Sequence, residues 1–434
     1  MNVFPFIGGC LNGWPPVSVI SRMIQVAKIK PDVLPDSETV KAIYAYHKAQ
    51  PQRRSARLGA SLIGGPCDRA LWYSFRWAGR EEHDGRLLRL FERGQVEEPR
   101  VVKELRGIGC EVMDTDPTTG EQVEFSAVGG HLVCKLDGAV LGVPEAPKTW
   151  HVLEVKTHNA KSFAALQSKG IASKPTHLAQ CAVAMRMSGM TRCLYIAVNK
   201  DTDELFSERI RAEDVKSLTD SLMARAKFVV DSTVPPEKIS DDANHWECKW
   251  CSHRAVCHEG KVMDPSCRSC CHSTPTEAGT WACELLSKGL SIEEQEAGCE
   301  EHRFIPLTIG YASHTDAGTD ENGKHWVEYR NSEGGAFRNG PGPMGYSSKE
   351  LATLPKELVG ADHAINHGRE AFGAKVVEFT PAAKTIIANA SQSTRNKNLK
   401  AKAELGEKMT IEEERAEFAA WTKAVNLDMD KLGL

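Results

Sequence analysis

The chain has 434 residues, 41% of them hydrophobic, with 14 cysteines and a formal net charge of −4 at pH 7. That length allows about two to four domains at roughly 100 to 200 residues each. The mild negative balance argues against an indiscriminate basic coat for nucleic acid, though not against a local basic patch, and no apolar run approaches the ~18 to 20 residues of a membrane span.

Residues 1–54 read as an N-terminal extension: MNVFPFIGGCLNGWPPVSVI is apolar in part, but Gly and Pro break it and no basic segment precedes it, so a secretory signal is not expected. QRRSAR supplies Arg53, Arg54 and Arg57, and GGPCDRALWY carries a lone Cys67 with Arg69 beside it. Trp72 and Tyr73, like Phe163 further on, could stack on bases but are expected in the core. RLLRLFERGQVEEPRVVKELRGIG places Leu87, Leu88, Leu90, Phe91, Val96, Val101, Val102 and Leu105 at roughly helical spacing. Glu98 would lie on that helix, with Glu97 as the register alternative.

Residues 131–158, HLVCKLDGAVLGVPEAPKTWHVLEVKTH, carry the most chemistry. HLVCKL and VLEV have the aliphatic and β-branched residues of strands. Glu154 and Lys156 are two apart and share one face, with Val155 pointing into the core, and Asp137 falls close to them. Mg²⁺ or Mn²⁺ takes oxygen ligands, generates hydroxide near neutral pH and neutralises phosphate charge; a lysine beside it can orient water or stabilise the pentavalent oxyanion. A surface hairpin with a salt bridge is the plain alternative. His131 is expected to be a hydrogen-bonded structural histidine, while His158, Lys161 at a helix start and Arg69 are candidate DNA contacts. HLAQCAVAMRMSG then reads as a helix carrying Gln180, and CLYIAVNK as a strand.

Nine of the cysteines lie in or before the stretch ending at residue 299 and outside ordinary core patterns, and a reducing, cytoplasmic setting favours metal binding over disulfides. ECKWCSHRAVCH gives Cys248, Cys251 and Cys257, which with Cys67 make four thiolates for zinc or an iron–sulfur cluster. Cys267, Cys270, Cys283 and Cys299 suit a tetrahedral structural zinc, with His302 or His272 competing for a place and a DNA-contacting finger as the runner-up. Cys271 reads as a bystander, and Cys10, Cys110, Cys134, Cys181 and Cys193 as small core hydrophobes. Residues 306–360 suggest a small β unit, and 361–434, rich in Ala, Lys and Glu, a helical or partly disordered charged tail.

The order helix, three strands, helix, strand with Glu98, Asp137 and the Glu154-x-Lys156 pair resembles the PD-(D/E)xK nucleases, in their RecB-like branch. Gln180 matches the glutamine of that branch's Q-x3-Y motif, but Ala184 stands at the tyrosine position. One cysteine before the catalytic motifs and three after is similar to the iron–sulfur members, which include CRISPR-adaptation exonucleases and AddB-type subunits. The resemblance implies an α/β fold with a restriction-endonuclease-like core, a mixed central sheet flanked by helices, over about 55–260. It also implies a 4Fe–4S cluster on Cys67, Cys248, Cys251 and Cys257. A Cys-rich zinc module at about 261–305 would follow. Asp137, Glu154 and the Val155 carbonyl would hold Mg²⁺ or Mn²⁺, Glu98 would complete the site or bind a second ion, Lys156 would position water, and Gln180 would hold substrate or the lysine. The implied activity is a DNA exonuclease acting on linear ends, double- or single-stranded, in recombination, repair or bacteriophage DNA processing, with a single-strand annealing protein or helicase as partner and no membrane. A non-cutting DNA-end-binding module and a structure-specific endonuclease are the alternatives.

Overall fold

The computed structural model describes residues 37–360 other than 53, 81 and 343. Arg53, Cys10, most of the N-terminal extension and the whole 361–434 tail therefore lie outside the described residues. Of these, 37–51 and 83–90 group into one compact unit, and 52–82 with 91–360 into another. The first holds helix α1 (Glu38–Ala49). Everything that follows concerns the second.

A five-stranded mixed sheet organises it: β2 (Glu111–Met113), β5 (Gly138–Leu141), β6 (His151–His158), β7 (Arg192–Asn199) and β8 (Leu205–Arg211), side by side in that order. β6 and β7 run parallel, and the other neighbours pair antiparallel. The parallel pair sits in the middle, where covering both faces is the rule, and this explains why CLYIAV reads as an apolar run and VLEV as one interrupted only by Glu154. On one face, Leu153, Val155, Leu194 and Ile196 pack with Val101, Val102 and Leu105 of helix α3 (Gly85–Gly107). On the other, Val152, Cys193, Tyr195 and Ala197 join a core built with α4 (Ala160–Lys169), α5 (Pro175–Ser188) and α6 (Lys216–Asp231).

Between α3 and α4 lie five strands rather than three. β3 (Glu124–Ala127) and β4 (Leu132–Lys135) leave the main sheet and form a separate three-stranded one, in which β4 lies between β3 and the short β1 (Leu58–Gly59). The chain re-enters the main sheet at Asp137, immediately before β5. The apolar stripe expected along α3 also shrinks: Phe91 and Val96 are exposed (45% and 65%), and only the C-terminal half of the helix faces the sheet.

The Cys-rich segment is not a free-standing module. Its hairpin, β9 (Ser273–Pro275) with β10 (Trp281–Cys283) and β11 (Lys288–Leu290), drives Trp281 into the main core. There the fully buried indole lies 5.2 Å from the Phe75 ring, with the Arg76 and Arg268 guanidinium carbons 4.9 and 4.8 Å from its centroid. Neither arginine has a carboxylate partner among the described residues. Arg268 instead donates to Gln295 and to the carbonyls of Phe75 and Ala56. At Gly130 (φ +81°) an added Cβ would fall 2.4 Å from the Gly279 nitrogen, so only glycine permits the turn after β3 to meet this segment. Residues beyond it form the expected β unit: β12 (Ala312–Thr319), β13 (His325–Asn331), β14 (Ala336–Asn339) and β15 (Gly345–Tyr346), with stacked Tyr329 and Phe337 in the shared core.

Because the indole bridges the two segments, Trp281→Ala should cost about 3–5 kcal/mol and lower the urea midpoint of one common transition. A separate early transition confined to the Cys-rich segment, with the main-sheet core unaffected, would show the packing to be incidental.

Candidate active site

β6 carries the centre of the site. Glu154 and Lys156 share a face, as period-two alternation requires, while Val155 enters the opposite core. Continuing the β5–β6 register, in which Gly138 pairs with Leu153, sets Asp137 across from Glu154. Asp137 is fixed there because its Oδ2 accepts the Val155 N–H at 2.8 Å. Lys156 reaches back along its own strand: its Nζ bonds Glu154 Oε1, lies 4.0 Å from Asp137 Oδ2 and donates to the Val155 carbonyl at 3.3 Å. Glu98, half-buried on α3, comes near enough to feel the charges of Asp137 and Lys156. The register alternative Glu97 is taken by an ion pair with Arg100.

Burial of acidic groups sets the electrostatics. Glu154 is completely buried and its carboxyl is pushed up to about 7, by desolvation first and by the Asp137 charge, against the pull of Lys156. Glu98 rises to about 7 for the same two reasons. Asp137 also shifts upward through desolvation, although Lys156 and the Val155 N–H oppose it. Burial alone would lower the Lys156 ammonium, but Glu154 and Asp137 reverse that and carry it upward. Glu154 Oε2 is buried with no hydrogen-bond partner, which is costly for a carboxylate oxygen.

Among the described residues no group of three or more His, Cys, Asp or Glu side chains is set to hold a metal ion as it stands; here the lysine ammonium lies against the Glu154 carboxylate. The donor set nevertheless suits a hard divalent cation. It offers an unpartnered carboxylate oxygen, two further carboxyls and a backbone carbonyl, all oxygens, and charge density that a cation would relieve.

The remaining candidate residues separate into those near this centre and those engaged elsewhere. Gln180 is half-buried on α5 and makes no hydrogen bond to Lys156, and Ala184 is fully buried behind it. His158 is buried, bonded at 2.9 Å to Ser162 Oγ and at 2.9 Å to Tyr195 Oη, so it cannot meet DNA directly. Lys161 is exposed at the start of α4 as expected, but the anion position there is occupied: Asn159 caps the Ser162 N–H and the Asp201 carboxylate takes the Ala160 N–H. Arg69 donates to the Pro236 carbonyl at 2.5 Å and to the Cys257 thiol, which removes it from the list of DNA contacts. Arg54 pairs with Asp264 and Arg57 with Glu124. His131 bonds the Thr276 carbonyl at 2.6 Å, the structural role expected of it. Sequence reading missed Tyr195 and His177, whose hydroxyl and Nδ1 stand 2.9 Å apart beside the lysine. Both sit in segments that read simply as core strand and helix.

Both cysteine groups converge. Cys67 precedes α2 (Asp68–Phe75), Cys248 lies on α7 (Trp246–Lys249) and Cys257 on α8 (Arg254–His258). Burial raises Cys248, Cys251 and Cys257, and the charge of Cys67 adds to each. Cys267, Cys270, Cys283 and Cys299 line one cavity of about 20 Å³ together with His272 and His302, room for one water-sized occupant. Burial and its cysteine neighbours push the Cys267 thiol up to about 12, while the Cys271 thiol and the Arg303 and His272 N–H groups bring Cys270 down to about 7. His302 bonds Ser269 Oγ at 3.0 Å, and its Nδ1 is buried without a partner.

No protein-family model matches the chain, and no curated protein matches it. Among solved structures, slight likenesses run to the crystal structure of SSO0001 (14% identity, 51% of this chain and 96% of that one, TM-score 0.32). Others run to an alkaline exonuclease, LHK-Exo, from Laribacter hongkongensis (17% identity, 44% and 90%, TM-score 0.28) and to LHK-Exo in complex with dAMP (15%, 44% and 90%, TM-score 0.27). At these scores the molecule's own geometry has to carry the functional reading.

Carboxyls that hold protons up to about pH 7 must release them to a divalent cation. Mn²⁺ affinity should therefore rise with pH through about 7 and level off above it. Calorimetry in buffers of different ionisation enthalpy should find protons released at pH 6 and few at pH 8.5; equal release at both would contradict these shifts.

Proposed function

We propose that the chain is a divalent-metal-dependent deoxyribonuclease that hydrolyses phosphodiester bonds at DNA ends. The observation that carries this reading is the convergence of Asp137, Glu154 and Glu98 on one half-buried lysine, with a Glu154 oxygen left unpartnered. A salt bridge built for stability would leave no such oxygen and would not need three acids, because burying uncompensated charge is unfavourable. Asp137, Glu154 and the Val155 carbonyl would hold Mg²⁺ or Mn²⁺, with Glu98 completing the site or serving a second ion. The cation supplies Lewis acidity and lowers the pKa of water. Lys156, anchored by Glu154 and Val155, orients the attacking water and faces the charge that develops on the phosphoryl oxygens.

The two cysteine groups have structural parts in this reading: a 4Fe–4S cluster on Cys67, Cys248, Cys251 and Cys257, and zinc on Cys267, Cys270, Cys283 and Cys299, with His302 the substitute ligand. DNA is the partner, with a single-strand annealing protein or helicase alongside it. Among the described residues no helix is long and apolar enough to cross a membrane.

Purified chain incubated with Mn²⁺ should degrade linear DNA and leave closed circles intact, and Asp137→Ala or Lys156→Ala should each reduce the rate about 10²-fold or more without loss of folding. Nicked circles would make it an endonuclease; DNA binding with no cleavage would make it an end-binding module; full activity in either variant would remove these residues from the mechanism. Anaerobically purified protein should contain iron and acid-labile sulfide, and Cys248→Ala should lose both along with solubility. Iron-free, zinc-loaded protein would assign zinc to that group.

A further inference from the structure

Beside the lysine, four side chains from four elements form a continuous hydrogen-bonded chain. Ser162 Oγ meets His158 Nδ1 at 2.9 Å, His158 Nε2 meets Tyr195 Oη at 2.9 Å, and the same hydroxyl meets His177 Nδ1 at 2.9 Å. Tyr195 is fully buried and His158 nearly so, while His177, on the first turn of α5, is only half-buried. The Tyr195 hydroxyl has one proton, so it donates to one imidazole and accepts from the other. Two directions satisfy that rule. In one, Ser162 donates to His158, His158 donates to Tyr195, Tyr195 donates to His177, and His177 presents an Nε2–H outward. In the other, every arrow reverses and His177 presents a lone pair.

Only the first direction offers an outward donor to an anion, and the surroundings attract anions. Lys156, Lys174 and Lys200 all bear on this cluster electrostatically, and Lys200 is held against it by donating its backbone N–H to the His158 carbonyl at 2.8 Å. Neither Lys174 nor Lys200 belongs to an ion pair among the described residues. The nearby Glu208 carboxylate is occupied by the Ile171 N–H at 2.6 Å. Burial first, then Lys174, Lys156 and Lys200 at His158 and Lys156, His158 and Lys174 at His177, bring both imidazoles down to about 4, so they are neutral donors and acceptors near pH 7. A neutral imidazole among lysines that lack carboxylate partners is placed to meet an anion.

Resting on the nuclease reading, we propose that His177 contacts a phosphate oxygen of the bound DNA strand through its Nε2–H, and that Tyr195 and His158 are positioning residues that fix this tautomer. His158, which the sequence offers as the contact, acts only through the chain. Lys174 and Lys200 draw the strand to the same place.

The test is nitrogen-15 NMR of the histidine-labelled full chain, with DNA binding measured on a short duplex in EDTA so that nothing is cut. His158 and His177 should both be Nε2-protonated, and duplex should shift the His177 Nε2–H. Tyr195→Phe should release the His177 tautomer. His177→Ala should weaken duplex binding about tenfold, and His177→Gln, which keeps a donor near the Nε2 position, should recover most of it. Nδ1-protonated His177, or wild-type affinity in His177→Ala, overturns this inference and leaves the nuclease reading standing. A wild-type chain that binds no duplex overturns both.

Discussion

Everything at the proposed site depends on a carboxylate placed where a carboxylate is unfavourable. Glu154 lies on a central strand, fully buried, and its charge is matched only by Lys156 two residues along the same face. That pairing fixes Asp137 as well, since the strand that brings Lys156 into reach also offers the Val155 N–H to the aspartate. The sheet order then follows from the need to cover both faces of β6. α3 brings Glu98 over one side, and α5 brings His177 and Gln180 over the other. Removing the acids' shared counter-charge would leave buried like charges facing each other, which burial strongly disfavours.

The part of this that was legible in the sequence is the part governed by short periods. The two-residue spacing of Glu154 and Lys156, the helix bearing Glu98 and the aliphatic strands follow from alternation and helical repeat. What stayed hidden was long-range. No local pattern shows that β4 pairs with Leu58–Gly59 and β3, leaving both strands outside the main sheet. Nor does one show that Asp201 fills the α4 N-terminus where Lys161 suggested a phosphate site. His158 had the right parity for the site face but not the exposure, since Tyr195 from the neighbouring strand closes over it. Parity assigns a face; only packing decides which residue on that face reaches solvent.

The Cys-rich segment shows the same limit. Its cysteines marked it as a module, yet two of its largest fully buried side chains, Trp281 in the main core and Arg268 over the Phe75 ring, tie it to the main-sheet unit. Arg76 and Arg268 are held by aromatic faces and backbone carbonyls in place of carboxylates, an arrangement that ties the two segments mechanically. The cysteine cavity is thereby anchored to the fold that carries Glu154, so a metal there would stiffen both.

The central claim is that Asp137, Glu154 and the Val155 carbonyl form a divalent-cation site. Diffraction at the manganese absorption edge from Mn²⁺-soaked crystals tests it most directly. The account predicts an anomalous peak touching the Asp137 carboxylate, Glu154 Oε2 and the Val155 oxygen, lost in Glu154→Gln. Manganese bound elsewhere in a protein that still cleaves DNA, with no peak between these residues, would contradict it.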